Sequence, residues 1–142
     1  MGKIMTKLKL TNNTDLDKAQ ERLILPDRVR TVEVEALIDT GATMLVLPAD
    51  VVQRLGLLEQ GRRKVRYADG RVAEVPWVGG VRLEILGREM TCDALVEAVG
   101  TVPLVGQIPL EAPDLVVDPK TREARVNPAS PDAPLLDLLA AS

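Results

Sequence analysis

The stretch ALIDTGATMLVLP (residues 36–48) places an aspartate between two aliphatic runs. Removing a carboxylate from water is costly unless another group compensates it. The simplest alternative, a surface turn that closes a hairpin, normally has polar neighbours, which Asp39 lacks. Gly41 would let a ligand backbone approach closely, and Thr40 can donate and accept a hydrogen bond where water is scarce. We therefore interpret the segment as the loop of a functional site.

The composition predicts one domain with an aliphatic core. The chain has 142 residues, of which 46% are hydrophobic, but no Phe, one Trp and one Tyr. A core rich in Val and Leu favours strands over helices. The net charge of −3 gives no basic footprint, so nucleic acid is not an expected partner.

The chemistry available to the chain is narrow. There is no His, and Cys92 is the single cysteine, so Ser-His-Asp and Cys-His mechanisms are excluded and a zinc site is not expected. Any catalysis must rest on carboxylates, without a metal or cofactor. No segment has the apolar length of a signal peptide or a membrane span, so a cytoplasmic location without a membrane partner is expected.

The hydropathy pattern predicts a mostly β chain with one short helix. That helix is expected to begin at Pro48 and to end before Gly56. The polar segment 11–22 is interpreted as a loop with one helical turn. The expected strands and hairpins are 3–10, 28–38, 44–47, a hairpin 63–75 turning at Asp69-Gly70, a hairpin 81–96 turning at Gly87-Arg88, 102–106, and the pair 115–118 and 124–127.

The chain divides into three predicted regions. Residues 1–28 form an N-terminal strand and loop extension, 29–127 the main domain, and 128–142 a proline-rich C-terminal tail. Within the main domain, EALIDTG (35–41) is similar to DALVEAVG (93–100), and each precedes a short apolar run. This similarity would fit two related half-domain units.

These parts, in this order and at these separations, resemble the retropepsin-like aspartic proteases, a single-lobe family that includes retroviral proteases and bacterial relatives. The similarity covers residues 29–127 and consists of ALIDTGAT, MLVLP with its helix, the hairpin around YADGRV, PLVG and LVVD. It implies a closed β-barrel that functions as a two-fold homodimer and hydrolyses peptide bonds of a peptide or protein substrate.

The resemblance also implies roles for individual residues. Asp39 would be the catalytic aspartate, Thr40 would brace the two loops across the dimer axis, and Gly41 would bind substrate backbone. Ala42 completes this loop. The residues expected in a flap over the cleft are Tyr67, Ala68, Asp69 and Gly70. The late glycine motif, expected behind the catalytic loop, consists of Leu104, Val105 and Gly106.

The chain departs from the retroviral pattern at three positions. Retroviral members usually carry an acid and an arginine that form an ion pair where this chain has Thr43 and Gln107. These two neutral side chains could still form a hydrogen bond. Pro109 is predicted to interrupt the helix that follows the late glycine.

A single Asp-Thr-Gly implies two chains. Hydrolysis of an amide needs one group to deprotonate water and another to protonate the leaving nitrogen, and two carboxylates that share a proton can do both. The chain supplies one such carboxylate, so Asp39 and its copy in a homodimer would form the pair. Two other functions stay open: an inactive peptide-binding or dimerisation module with a vestigial Asp39, and a structural β-barrel domain without a ligand.

The other polar and aromatic residues have simpler interpretations. Asp69 is first a turn residue, and Tyr67 and Trp77 could hydrogen-bond or pack across the flap arms. Three further acids are interpreted as solvated or capping groups: Asp93, Asp114 and Asp118. Four residues near the flap are expected to line apolar substrate pockets: Val65, Tyr67, Val72 and Val75.

Overall fold

The computed structural model describes residues 4–136 and residue 138. This part of the chain is mostly β-structure, as predicted. A short 3-10 helix at Pro26–Arg28 precedes the second strand. The other elements, in chain order, are β1 (Met5–Asn12), α1 (Asn13–Gln20), β2 (Thr31–Ile38), β3 (Leu45–Pro48), α2 (Ala49–Leu55), β4 (Glu59–Arg66), β5 (Val72–Ile85), β6 (Arg88–Glu97), β7 (Leu104–Val105), α3 (Gln107–Glu111), β8 (Leu115–Asp118) and β9 (Glu123–Val126).

Seven strands form one sheet in the order β1-β2-β7-β3-β6-β5-β4, and β1 also pairs with β5. β8 and β9 form a separate antiparallel pair. The sheet has an internal symmetry, because β2 pairs in parallel with β7 while β6 pairs in parallel with β3. β3 and β7 are antiparallel neighbours at the centre. β2 and β6 therefore hold equivalent positions in the sheet. The relation of these two units to the similar segments 35–41 and 93–100 stays a prediction.

A row of buried residues crosses the sheet at the level where β2 ends. In register, Ile38 lies beside Val105, Val105 beside Leu45, Leu45 beside Ala94, and Ala94 beside Val78. All five are at most 7% exposed. Burying a large aliphatic side chain contributes about 1.5–3 kcal/mol, so this row fixes the height at which the chain leaves β2. Asp39, which follows Ile38 in the chain, is the residue predicted to be catalytic.

The alternation predicted for β2 is confirmed. Val32, Ala36 and Ile38 are buried, whereas Glu33 and Glu35 are exposed. A slip of one residue would turn both glutamates toward the core, so the pattern specifies the pairing register.

The predicted helix after β3 is also confirmed as α2. Its buried side chains are Val51, Val52 and Leu55. Gly56 ends it in the left-handed conformation with φ of 65°, which glycine adopts at low cost.

The prediction of one short helix was wrong, because the described residues contain three α-helices. The segment predicted as a loop forms the end of β1 and all of α1, where the Asn12 side chain accepts a hydrogen bond from Asp15 N at 3.0 Å. α3 forms despite Pro109, because this proline lies in the first turn, where backbone N–H groups have no partner within the helix. In the described part of the chain, no helix is long and apolar enough to cross a membrane.

The turn of the second hairpin lies one residue earlier than predicted. Ile85 pairs with Arg88, so the turn residues are Leu86 and Gly87, with φ of 53° and 78°. Two positive φ values are typical of the type I′ turns that match the twist of paired strands. Arg88 begins β6 because it pairs with Ile85, and its buried guanidinium donates to the carbonyl oxygens of Pro113, Asp114 and Ser130.

The predicted division of the chain at residues 28 and 128 stays a prediction. β1, which lies before the first boundary, pairs with β2 and β5 and adds Leu8 and Leu10 to the core. Beyond the second boundary, the Ser130 hydroxyl and Leu135 N both donate to the Asp114 carboxylate. Together with the amide of Asn127, these donors lower the pKa of Asp114 to about 2. Residues 137 and 139–142 of the tail lie outside the described part.

A bidentate ion pair between Arg30 and Asp15 anchors α1. Arg30 Nε lies 2.8 Å from Asp15 Oδ2, and a second guanidinium nitrogen of Arg30 lies 3.0 Å from Asp15 Oδ1. Asp15 is buried, and the hydrogen bonds from Arg30 lower its pKa below the ordinary aspartate value of 3.8. The ionised carboxylate therefore stabilises the fold above the unfolded pKa, and this stabilisation is lost as the pH falls through the lower folded pKa.

We expect Asp15→Asn to lower the free energy of unfolding by about 2 kcal/mol at pH 7, because a charge-assisted hydrogen bond contributes about 1.5–3 kcal/mol. The difference from the wild type should shrink below about pH 4, where the unfolded carboxylate takes up a proton. Urea denaturation at pH values between 7 and 3 measures this difference in the free energy of unfolding. Asp17→Asn, an exposed position of the same helix, is the matched control. A pH-independent difference would contradict the role of charge.

Candidate active site

The loop that follows β2 holds its aspartate by backbone hydrogen bonds. Asp39 N donates to Val105 O at 3.0 Å, and Ala42 N donates to Asp39 O at 3.1 Å. Gly41 N donates to Asp39 Oδ1 at 2.9 Å, so the loop also orients the carboxylate. A Cβ at Gly41 would lie 3.2 Å from that oxygen, tighter than ordinary contact. A side chain at position 41 would therefore crowd the Asp39 carboxylate, and glycine avoids this.

The loop is braced by the segment that follows β7. The four backbone hydrogen bonds are Asp39 N to Val105 O (3.0 Å), Gly106 N to Met44 O (3.1 Å), Gln107 N to Ala42 O (2.8 Å) and Ile108 N to Thr43 O (2.9 Å). The fold thus brings together two motifs that lie more than sixty residues apart in the sequence.

Gly106 is required by the close approach of these two segments. A Cβ built on it would lie 2.6 Å from Met44 O and 2.7 Å from both Met44 N and the carbonyl carbon of Thr43. All three are backbone atoms, which cannot rotate away as a side chain can. Leu104 and Val105, the other members of the late glycine motif, form β7.

The single chain leaves Asp39 exposed to solvent. The neighbouring aliphatic residues were expected to dehydrate it, but Ile38 and Leu45 are 7% and 0% exposed and belong to the core. The turn projects the carboxylate away from that core. Any dehydration of Asp39 must therefore come from something that covers the loop.

The remaining loop residues are accessible. Thr40 and Gly41 are exposed, and Ala42 is half-buried. Among the side-chain hydrogen bonds of the described residues, none involves the Thr40 hydroxyl. The role predicted for Thr40, across a dimer axis, stays a prediction.

The predicted hydrogen bond between the side chains of Thr43 and Gln107 is not found among the described residues. The Gln107 amide instead donates to Glu111 Oε1 at 3.3 Å. Thr43 is exposed and contributes its backbone carbonyl to the bracing described above. The backbone of each position instead bonds to a neighbour of the other, because Ile108 N donates to Thr43 O and Gln107 N donates to Ala42 O.

The hairpin between β4 and β5 has the turn predicted from its sequence. Gly70 N donates to Tyr67 O at 2.9 Å, and Gly70 has a φ of 86°. Arg71 N donates to Asp69 Oδ1 at 3.0 Å, so Asp69 is a turn residue. Ala68 is exposed at the tip. In the described part of the chain, no hydrogen bond links this tip to the loop of Asp39.

The base of the tip is held by a hydrogen bond that the sequence did not predict. Tyr67 Oη donates to Glu97 Oε1 at 2.7 Å, at the end of β6. This bond raises the pKa of the Tyr67 phenol, because it favours the protonated form. Arg71 lies over the Tyr67 ring, with its guanidinium carbon 4.3 Å from the ring centre. Glu97 carried no sequence signal, since its partner lies 30 residues away.

The four residues expected to line apolar pockets do not share one surface. Cross-strand partners point to the same side of a sheet, and successive residues to opposite sides. Val65 pairs with Ala73, and Arg66 pairs with Val72. Val65, Tyr67 and Val75 therefore lie on one face of the hairpin, and Val72 lies on the other.

In the described part of the chain, none of the three further acids forms a side-chain hydrogen bond with the loop of Asp39. Asp118 caps the turn between β8 and β9, and the N–H of Lys120, 2.8 Å away, lowers its pKa. Asp114 organises the tail, as described above. Asp93 is half-buried beside Gly79. The capping interpretation is confirmed for Asp118.

The chain is similar to a known protein family. A family model described as gag-polyprotein putative aspartyl protease matches residues 27–111. Because the match spans more than half of the chain, the protein belongs to this retropepsin-like family of aspartic proteases. The matched region includes the Asp39 loop, the β4–β5 hairpin and the late glycine motif. No curated protein matches the chain significantly.

Proposed function

We propose that this protein is an aspartic endopeptidase that acts as a homodimer, with one Asp39 from each chain forming the catalytic pair. The observation that carries the proposal is the braced loop of Asp39 within a chain that belongs to an aspartyl protease family. The carboxylate is oriented by Gly41 N and remains exposed on a single chain.

A second chain would supply what one chain lacks. One lobe provides a single Asp-Thr-Gly, and neither of two surface depressions of the described part is lined by Asp39. Docking of two loops around a two-fold axis would create a cleft and dehydrate both carboxylates. The exposed Thr40 would brace the loops across that axis. The pairing of β1 with both β2 and β5 supports a closed barrel as the scaffold of each lobe.

In the proposed mechanism, two carboxylates about 3 Å apart share one proton, because like charges at this distance cannot both ionise. The ionised Asp39 takes a proton from a bound water as the water oxygen attacks the scissile carbonyl carbon. The protonated partner donates a hydrogen bond to the developing oxyanion. The Asp39 that took the proton from water then gives it to the amide nitrogen as the bond from nitrogen to carbon breaks, leaving a carboxylic acid and an amine.

The hairpin tip from Tyr67 to Gly70 would act as the flap. A peptide in the cleft would be held in an extended conformation by strand-like pairing, and closure of the tip would exclude water. The hydrogen bond from Tyr67 to Glu97 fixes the base of this tip, so movement would be confined to Ala68, Asp69 and Gly70.

The experiment is to incubate the protein with a peptide library and to follow cleavage by mass spectrometry as the protein is diluted. We expect the activity per chain to fall on dilution, because only the dimer contains both carboxylates. Analytical ultracentrifugation over the same range measures the dimer fraction. Cleavage by a strictly monomeric protein would contradict the mechanism. Peptide binding without cleavage by a stable dimer would instead favour the inactive-module alternative.

A further inference from the structure

The two faces of the β4–β5 hairpin differ in how they are occupied. The pairing register places Arg63, Val65 and Tyr67 on one face and Arg62, Lys64 and Arg66 on the other. The face that carries Arg62, Lys64 and Arg66 is the basic face.

The face opposite the basic face is covered by the chain's own side chains. Val75 is only 7% exposed. The guanidinium of Arg63 lies 4.7 Å from the ring centre of Trp77, and the indole Nε1 of Trp77 would be 3.0 Å from a Cβ at Gly61. Tyr67 Oη donates a hydrogen bond to Glu97 Oε1. Val65 and Tyr67 are half-buried, and Arg63, although exposed, is stacked on the Trp77 ring.

The basic face is open. Arg62, Lys64 and Arg66 are all exposed, and their cross-strand partners are Pro76, Glu74 and Val72. Arg62 has a carboxylate, that of Glu59, 3.9 Å away. Within the described part of the chain, Lys64 and Arg66 have no carboxylate within the 4.0 Å of a salt bridge.

The hairpin that carries this face is positively charged, whereas the whole chain is negatively charged. Residues 59–74 contain five Lys or Arg and three Asp or Glu, a net of +2, whereas the whole chain has −3. Alternate residues of a strand are about 6.7 Å apart, so the three cations span about 13 Å. An extended peptide that runs along the hairpin presents its own alternate side chains at the same spacing. Val72, 54% exposed near the tip, adds an apolar contact.

We propose that the basic face selects extended peptide substrates that carry Asp or Glu at alternate positions beside an apolar residue. This inference rests on the proposed function, in which the hairpin covers the cleft. An acidic peptide is favoured over nucleic acid because the cations form one short row, and the chain around them has a net negative charge.

The test compares two peptides that differ only in Glu or Gln at three alternate positions beside an apolar residue. We expect the wild type to cleave the Glu peptide with about tenfold higher kcat/KM, since an exposed ion pair contributes up to about 1 kcal/mol and three act together. Raising the salt from about 20 mM to about 500 mM should remove most of the preference. The triple variant Arg62→Gln/Lys64→Gln/Arg66→Gln should lose it at low salt.

The matched control is Arg28→Gln/Arg54→Gln/Lys120→Gln, which removes the same charge from exposed positions outside the hairpin. It should keep the preference. Equal cleavage of both peptides by the wild type, or a preference that survives in the hairpin variant, would overturn the inference.

A binding measurement separates this inference from the proposed function. Fluorescence anisotropy with both labelled peptides on the Asp39→Asn protein requires no catalysis. If neither peptide is cleaved but the Glu peptide binds more tightly through the basic face, the proposed protease activity fails and the acidic selectivity stands. Equal or undetectable binding of both peptides refutes the selectivity. Displacement of the Glu peptide by an oligonucleotide of equal charge at equal concentration also refutes it.

Discussion

Asp39→Asn is expected to lower kcat for peptide cleavage by about 10³-fold or more, because general acid–base catalysis contributes about 10²–10⁴-fold and both carboxylates of the proposed pair are lost at once. An amide can neither take a proton from water nor donate one to the leaving nitrogen as a carboxylic acid does. The free energy of unfolding should change little. The side chain is exposed, and the amide oxygen of Asn can still accept the hydrogen bond from Gly41 N.

Mixing the two proteins tests whether the carboxylates act in pairs. Adding Asp39→Asn in excess to the wild type should reduce cleavage more than dilution does, because wild-type chains are drawn into mixed dimers that hold one carboxylate. Asp27→Asn, which is exposed outside the loop, serves as the control and should leave activity unchanged. Retention of a tenth of the wild-type rate by Asp39→Asn would remove Asp39 from the proposed role.

The pH dependence of dimerisation gives a second measure of the shared proton. If the dimer binds a proton that two separate chains release, association takes up protons and must weaken as the pH rises. The Asp39→Asn protein has no such proton and should lose this part of the dependence. Identical profiles for both proteins would argue against a shared proton.

Gly106→Ala is expected to destabilise the fold by about 3 kcal/mol or more, at the upper end for overpacked sites. The new methyl carbon would lie 2.6–2.7 Å from backbone atoms of Thr43 and Met44, so the loop of Asp39 must move. Displacement of this loop should also lower kcat beyond what the loss of folded protein explains. Urea denaturation and the rate per folded chain measure the two effects separately.

Gly61→Ala is the matched control for this substitution. A Cβ at Gly61 would meet the Trp77 indole at 3.0 Å, a side chain that can shift, rather than backbone. Gly61→Ala should lower the free energy of unfolding by clearly less than Gly106→Ala does. Equal stability of Gly106→Ala and the wild type would mean that the two segments are not held as closely as described.

The parts of the fold that follow from local pattern were predictable. The alternation of β2 and the apolar face of α2 depend on side chains within one element, whose burial has a period of about two or four residues. α1 was not predictable in the same way. Its anchor is the ion pair of the buried Asp15 with the half-exposed Arg30. Its cap is Asn12, whose amide also donates to Leu55 O at 2.8 Å.

The sequence by itself determined which side chains are available for chemistry: one Asp-Thr-Gly loop, no histidine, and glycine at positions 41 and 106. Only the tertiary structure decided what surrounds them. It placed the backbone of residues 105–108 against the loop, left Asp39 exposed on a single chain, and separated the hairpin into a covered face and a basic face. The physical reason is that residue types and periodicity are local properties. Close backbone approach and the sharing of a face depend on register between strands that are distant in the chain.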